Sequence, residues 1–447
     1  MSAISDITSE VEVRKVSILS QCSKHKEEIT QKCEVAPTDR FGLVKITILF
    51  YSLGSFLPLS FFITANDYWM YKFRDPQYAS ADPNHRTSLQ AYFASSVSIC
   101  KAIPSLIVTM VVMRYGHKIH LRTRMLWTLG IMLATFVALS IFVLVPTDEW
   151  QLGFFVIVMA LIIIVTACLT ILAMSQTVLT ARLPPKYIKW HLYGQGAQGV
   201  FSAVLQIICL AIGNNSTQVA ILYFGCGTAV ILFTFILAVI SERLPFYTYY
   251  LGDTTKDTER PVHTLKQIKA AASKTWQPIA MLAVLVIFMP SGHPNITSLI
   301  VSEYYGHGNL WNDKYFVPVV TFLFSELVAL AARCLARPIV THKNSKWIVG
   351  AYIIKAIIFA PAYMFCNAYS NAARHLPILF PHDWEYITII ILDNLTTHIA
   401  ITSTVTSIPR LADNKDTAEI VFLLMSSTMG ILSSLTSPLS PLWVKLL

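Results

Sequence analysis

The stretch "YSLGSFLPLSFFITANDYWMYKFRD", Tyr51–Asp75, decides the fold class. It opens as a membrane helix does, small and apolar. Pro58 then interrupts it, and an aromatic, charged tail follows. In hydrocarbon, a broken backbone is tolerated only where neighbouring protein or a wet cavity satisfies the freed carbonyls. A spanning segment with a helix breaker near its middle is therefore expected to line something.

The rest of the chain agrees with a membrane setting. Of 447 residues, 54% are hydrophobic and 13% charged, and the mean hydropathy is +0.56. A soluble chain is nearer a quarter charged. Apolar runs of about 20 residues each cross a bilayer. Eleven are present: 43–65, 90–113, 125–145, 153–176, 192–212, 219–240, 277–300, 315–337, 347–366, 385–408 and 418–440. The expected class is an all-α polytopic membrane protein with eleven transmembrane helices. The expected divisions are a polar tail 1–42, a six-helix bundle 43–240, a polar flexible loop 241–276 and a five-helix bundle 277–447.

Lys and Arg fix the expected orientation. With the N-terminus in the cytoplasm, 24 basic residues fall on the cytoplasmic side and six outside. The C-terminus is then extracellular. The net charge of +9 is explained by these loops, so nucleic-acid binding is not implied. Residues 1–42 contain no apolar core of a signal peptide. The tandem sequons at Asn214 and Asn215 fall in a short outer loop and are candidate glycosylation sites. The eight cysteines show no zinc or disulfide spacing, and no metal or cofactor is expected. HExxH, GxSxG and P-loop motifs are absent, so an enzyme is not expected.

Span seven is also broken, at "FMPSGHPN", by Pro290 and Pro294. Broken first helices in two halves, here at Pro58 and at Pro290 and Pro294, point to a transporter's central site and its gates. Charges within spans mark polar pathways by default. In "YFVPVVTFLFSELVALAARCLARPIV", Glu326 and Arg333 lie seven apart and share one helix face. Either both meet the substrate, or Arg333 snorkels to the interface. Asp393, in "IILDNLTTHIAITS", is a substrate or proton site, or a structural carboxylate. Lys101 in span two is ambiguous in the same way; Lys45 and Lys355 are expected to snorkel. In "YGQGAQGVFSAVLQIICLA", Gly194, Gly196 and Gly199 allow close helix contact. Packing does not explain why Gln195 and Gln198 accompany them.

These residues resemble the equilibrative nucleoside transporter family (solute carrier family 29). "GSFLPLSFFITANDYW" is similar to its first span, "LPPKYIKWHLYGQGAQG" to its entry into span five, "ERLPFYTYYL" to its span-six end, and "WQPIAMLAVLVIFMPS" to its broken span seven. The resemblance runs from about 40 to 445. It implies a major-facilitator-like 6+5 fold and facilitative, alternating-access transport of nucleosides. Nucleobases, organic cations or proton coupling occur in some members. It further implies that Gln195 meets the base, that Leu59 and Ser60 line the pocket, and that Arg333 holds the ribose. Three departures stand out. Leu59 and Ser60 replace a tryptophan and an asparagine. In "SELVALAAR" the family's aspartate position is Ala329. Glu326 is expected to supply the missing acid and to alter selectivity. Rival expectations are an organic-cation or proton-coupled carrier and a transport-dead receptor. The membrane is expected to be the plasma membrane.

Overall fold

In a computed structural model the residues described are 37–76, 87–212, 216–251, 265–288, 296–341, 343–368, 375–412 and 414–436. Residues up to Phe41 form a unit of their own, and the helices below all belong to the unit Gly42–Leu447. They are α1 (Leu43–Thr64), α2 (Asn66–Lys72), α3 (Ser88–Tyr115), α4 (Leu121–Leu144), α5 (Gln151–Arg182), α6 (Lys186–Ile212) and α7 (Ser216–Glu242). Then come α8 (Pro245–Leu251), α9 (Leu265–Lys274), α10 (Trp276–Phe288), α11 (Ser325–Leu335), α12 (Ser345–Met364), α13 (Asp383–Leu411) and α14 (Lys415–Thr436). Among the described residues ten segments are long and apolar enough to cross a membrane, or eleven if α9 and α10, bent by 78°, are taken as one broken span.

Isoleucines and tryptophans stay outward on these helices: Ile99, Ile103 and Ile107 on α3 and Trp127 on α4 are all at least half exposed. In water that surface would be untenable; against lipid tails it costs nothing. The 6+5 arrangement is visible in the packing. Within the first six spans α1 packs on α5, α6 and α7, α3 on α5, and α4 on α5 and α7. Within the last five, α10 packs on α12 and α14, and α11 on α13. Across the seam, α6 meets α11, and α14 meets α3 and α5.

Pro58 does not break the first span. The helix α1 runs through it to Thr64, and the chain turns at Ala65 instead. Proline removes one ladder bond, but the buried neighbours that crowd α1 hold the helix in line. The aromatic tail has a separate task. Trp69 is fully buried, stacks on Phe62 at 4.6 Å between centroids, and packs on Phe73, Phe93 and Phe154. Its indole N–H donates to the Phe62 carbonyl at 2.9 Å, one of the groups left open where α1 ends. Lys72 donates to the Val145 carbonyl at 2.7 Å. The tail therefore closes the first half at the end of α1 rather than lining a channel. Pro290, Pro294, Asn214 and Asn215 lie outside the described residues.

Within the stretch 241–276, read from sequence as a polar flexible loop, the described residues 241–251 and 265–276 include two helices. They are α8, whose Phe246, Tyr247 and Leu251 are buried, and α9, whose Ala271 is buried while Lys266, Lys269 and Lys274 are exposed. The helix α9 is amphipathic and turns 78° from α10. The end of the bundle that carries α9, Arg182 and the start of α14 is called the basic face below; the opposite one, with Trp69 and Asp383, is the far face.

Buried apolar groups fall into three cores. One belongs to α1–α8, with Trp69 and Phe224 at its centre. A second, at the far face, holds Ile296, Ile300, Phe316, Tyr363 and Tyr386 of the last five spans. The third, toward the basic face, is shared: Ile188 and Leu192 of α6 pack with Met281, Leu282, Ile408 and Val421.

Candidate substrate site between the two halves

The glycines of α6 are spent on two neighbours. Gly194 lies against α1, where an added Cβ would strike the Leu49 carbonyl and sit 2.7 Å from Ser52 Cβ. Gly196 and Gly199 lie against α11, where an added Cβ would strike the Arg333 guanidinium and the Glu326 carboxylate respectively. At about 100° per residue, His191, Gln195 and Gln198 fall in the sector between those two faces. That answers why amides accompany the glycines: α6 is wedged between α1 and α11, and its amides look into the gap.

The gap carries a polar ladder. Gln198 Nε2 donates to Ser60 Oγ at 2.8 Å. Gln195 Nε2 lies 3.3 Å from His191 Nε2, and His191 Nδ1 lies 2.6 Å from Ser52 Oγ, which donates to the Ile48 carbonyl at 2.9 Å. One assignment satisfies every link: a neutral His191 with its proton on Nδ1, donating to Ser52 and accepting from Gln195. His191 is absent from the sequence reading. Its position one turn before Gln195 was the available signal.

Facing the ladder are the two charges of α11. The segment before it, Val317–Phe324, is π-helical, and the α-helical register resumes at Ser325. Wide turns of this kind re-aim the side chains that follow and recur at functional sites. Arg333 does not snorkel. Its Nη2 lies 3.3 Å from His398 Nδ1 on α13, and Nη1 is buried without an acceptor among the described residues. Glu326 has no hydrogen-bond or ion-pair partner among the described residues. Ala329, at the position where an aspartate is usual, is 1% exposed. The side chain of Leu59 lies outside the described residues.

Asp393 is not brought to this pair. It is ion-paired with Lys355, and Tyr363 Oη donates to it at 2.9 Å. Lys355 also bonds Thr397 and lies over the rings of Tyr352 and Phe359. Lys355 therefore does not snorkel; it is held between α12 and α13, both partners largely buried. Gln176 of α5 is another residue the sequence reading passed over. Its Nε2 donates to the Tyr51 carbonyl and to Ser55 Oγ, each at 2.5 Å, and ties α5 to α1.

At the basic face the seam is closed by ions as well as by the shared core. Arg182 makes two contacts with Glu419, at 3.1 and 3.3 Å, from α5 to α14. Arg124 braces the same corner through Ser175 at 2.8 Å and the Gly116 carbonyl at 2.9 Å. A cavity of about 560 Å³ opens beside it, bordered by Arg124, Arg182, Lys274, Asp416 and Glu419. None of the ladder residues borders it. Among the described residues no cluster of side chains could hold a metal ion.

A sequence profile described as "Nucleoside transporter" matches residues 158–435. The chain is 28% identical over 403 residues to equilibrative nucleoside transporter 1 of Homo sapiens, covering 78% of this chain and 86% of that one. It is 24% identical over 368 residues to equilibrative nucleoside transporter 3 of Rattus norvegicus, covering 78% and 77%. Among solved structures it resembles the major facilitator proton:xylose symporter XylE, with a TM-score of 0.54 at 11% identity, covering 88% of this chain and 87% of that one. At that identity the likeness speaks for the fold alone.

Proposed function

Because the chain belongs to the nucleoside transporter family, we propose that it equilibrates nucleosides across a membrane by alternating access, at a site between α1, α6 and α11. The observation that carries this is the placement of the Ser52–His191–Gln195 and Gln198–Ser60 ladder opposite Glu326 and Arg333, with glycines clearing the space between. A nucleoside presents a polar base edge and a pair of ribose hydroxyls. Gln195, with Gln198 and its partner Ser60, suits the base. The open Nη1 of Arg333 suits a hydroxyl, since a guanidinium offers donors in a planar fork. Glu326 accepts from hydroxyls and stands in for the acid absent at Ala329.

The basic face is the cytoplasmic one under the positive-inside rule, which puts the N-terminus inside and the C-terminus outside. The shared core and the Arg182–Glu419 pair close that side. At the far face the cores of the two halves are separate, as in an outward-open carrier. Rocking of 43–240 against 277–447 would open the cytoplasmic side. The substrate gradient sets direction, and the plasma membrane is the proposed location. Nucleobases fit the same base pocket.

Counterflow of labelled uridine and adenosine in proteoliposomes tests this. Saturable exchange that falls at least tenfold in Arg333→Ala and Gln195→Ala is expected. Binding without exchange in the wild-type protein would favour a receptor and overturn it.

Glu326, with no hydrogen bond or ion pair among the described residues, favours a second reading, an organic-cation carrier, because such a carboxylate attracts an ammonium group. Competition of uridine exchange by monoamines, lost in Glu326→Gln, would support that reading. A flat dependence of exchange on external pH would remove proton coupling through Glu326 or Asp393.

A further inference from the structure

The two amides that α6 turns into the gap are both held by their nitrogen. Gln198 Nε2 donates to Ser60 Oγ at 2.8 Å, and that hydroxyl donates in turn to the Phe56 carbonyl at 3.3 Å. Gln195 Nε2 faces His191 Nε2 at 3.3 Å. Neither amide oxygen accepts a hydrogen bond among the described residues. What each amide offers the gap therefore depends on what holds its other end.

For Gln195 that hold is His191, and the bonds behind it set its direction. The Ser52 hydroxyl has one hydrogen. Donating it to the Ile48 carbonyl at 2.9 Å, Ser52 can only accept from His191 Nδ1, at 2.6 Å. A neutral imidazole with its proton on Nδ1 has a bare Nε2, which calls for the nitrogen of Gln195 and not its oxygen. The reverse order, from Ser52 to Nδ1 and from Nε2 to the Gln195 oxygen, forfeits the bond to Ile48. Ser52 and His191 are both buried, so a lost link has no ready water to replace it.

We propose that His191, itself set by Ser52, is a positioning residue that holds the Gln195 amide with its oxygen toward the substrate. The site then prefers bases bearing an exocyclic amine, as in cytidine and adenosine, over bases bearing a carbonyl there, as in uridine and inosine. This rests on the nucleoside-transport reading above. A free amide turns over and serves either edge, since one end donates and the other accepts. A held amide accepts from an amine; a carbonyl meets it oxygen to oxygen and leaves both unmatched. Gln198, held by its nitrogen in the same way, adds a second acceptor.

The test compares kcat/KM for cytidine against uridine, and for adenosine against inosine, in proteoliposomes. The wild-type protein is expected to favour the amine-bearing member of each pair, and His191→Leu to shrink both preferences by roughly tenfold. In a Gln195→Ala background the same substitution should leave both ratios unmoved, because His191 acts through that amide. A wild-type protein without the preference overturns the proposal. So does a His191→Leu protein that keeps both ratios, or that loses all four substrates in equal proportion as a merely structural residue would. Should His191→Leu fold poorly, Ser52→Ala removes the acceptor behind Nδ1 and frees the imidazole proton to sit on Nε2. Both ratios must fall there too, and unmoved ratios also overturn it. Failure of the wild-type protein to exchange any nucleoside would instead overturn the transport reading.

Discussion

The carboxylate of Glu326 rests on the bare Cα of Gly199, so that α6 and α11 share a space only glycine leaves open. The contact joins the half that carries the amides to the half that carries the charges.

Gly199→Ala would drive a methyl group into that carboxylate. The expected outcome is at least a tenfold fall in uridine exchange with little loss of membrane-inserted protein, since overpacking costs about 1–3 kcal/mol. Shortening the partner should help: Gly199→Ala with Glu326→Ala should tolerate the extra methyl group better than Gly199→Ala alone, as judged by thermal stability. Equal melting temperatures for the single and double variants would show that the two residues do not compete for one space.

The Arg182–Glu419 pair crosses the seam with both side chains mostly covered, at 13% and 15% exposure. Reversing Arg182 to Glu places two acids face to face. Labelling of a cysteine placed at Ile188 from the basic face should then rise severalfold, as closure there weakens. The swap Arg182→Glu with Glu419→Arg should restore protection. Unchanged labelling in Arg182→Glu would show that the ion pair does not hold that side.

Within the second half, Lys355 and Asp393 form the buried pair. Removing one partner of such a pair leaves a lone charge and costs about 3–5 kcal/mol, while replacing both by apolar groups is often neutral. Lys355→Met and Asp393→Leu should each lower the melting temperature, and the double substitution should recover most of the loss. If Asp393→Asn instead left stability intact and abolished transport, its role would lie at the substrate.

His382 caps α13 on the far face, with Nδ1 2.7 Å from Glu303 Oε2. That hydrogen bond, with the nearby charges of Glu303, Glu385 and Asp383, raises its pKa above the ordinary histidine range. A raised value means the protonated clasp is fully present below the unfolded pKa and is lost as pH rises through the folded one. Amide protection factors in residues 301–310, taken relative to the intrinsic exchange rate at each pH, should therefore be higher at acidic than at alkaline pH, and His382→Ala should remove the difference. A pH-independent contrast between wild type and variant would contradict it.

Local features of the fold were legible in the sequence, and features that join distant segments were not. Ten of the eleven expected spans follow from apolar length, and the shared face of Glu326 and Arg333 follows from their spacing of seven. The glycines of α6 announced a close approach, but not that it divides between α1 and α11. The pairing of Lys355 with Asp393 joins two spans and leaves no local signature. The π-helical turns before Ser325 arise from tertiary packing, as does the continuity of α1 through Pro58. Composition did not show α8 and α9 within 241–276, because each buries only a few side chains. His191 went unread because a lone histidine near the end of a span looks like an interfacial residue.

The central claim is a wet chamber between the α6 ladder and α11, open to one side at a time. The most direct measurement is the labelling of cysteines placed singly at Gln198 and Glu326, by a membrane-impermeant thiol reagent applied from each face of oriented proteoliposomes. The account predicts reaction from the far face in the wild-type background. It predicts a shift toward the basic face when Arg182→Glu is added. Cysteines at both positions that no reagent reaches from either face, with and without that substitution, would contradict it.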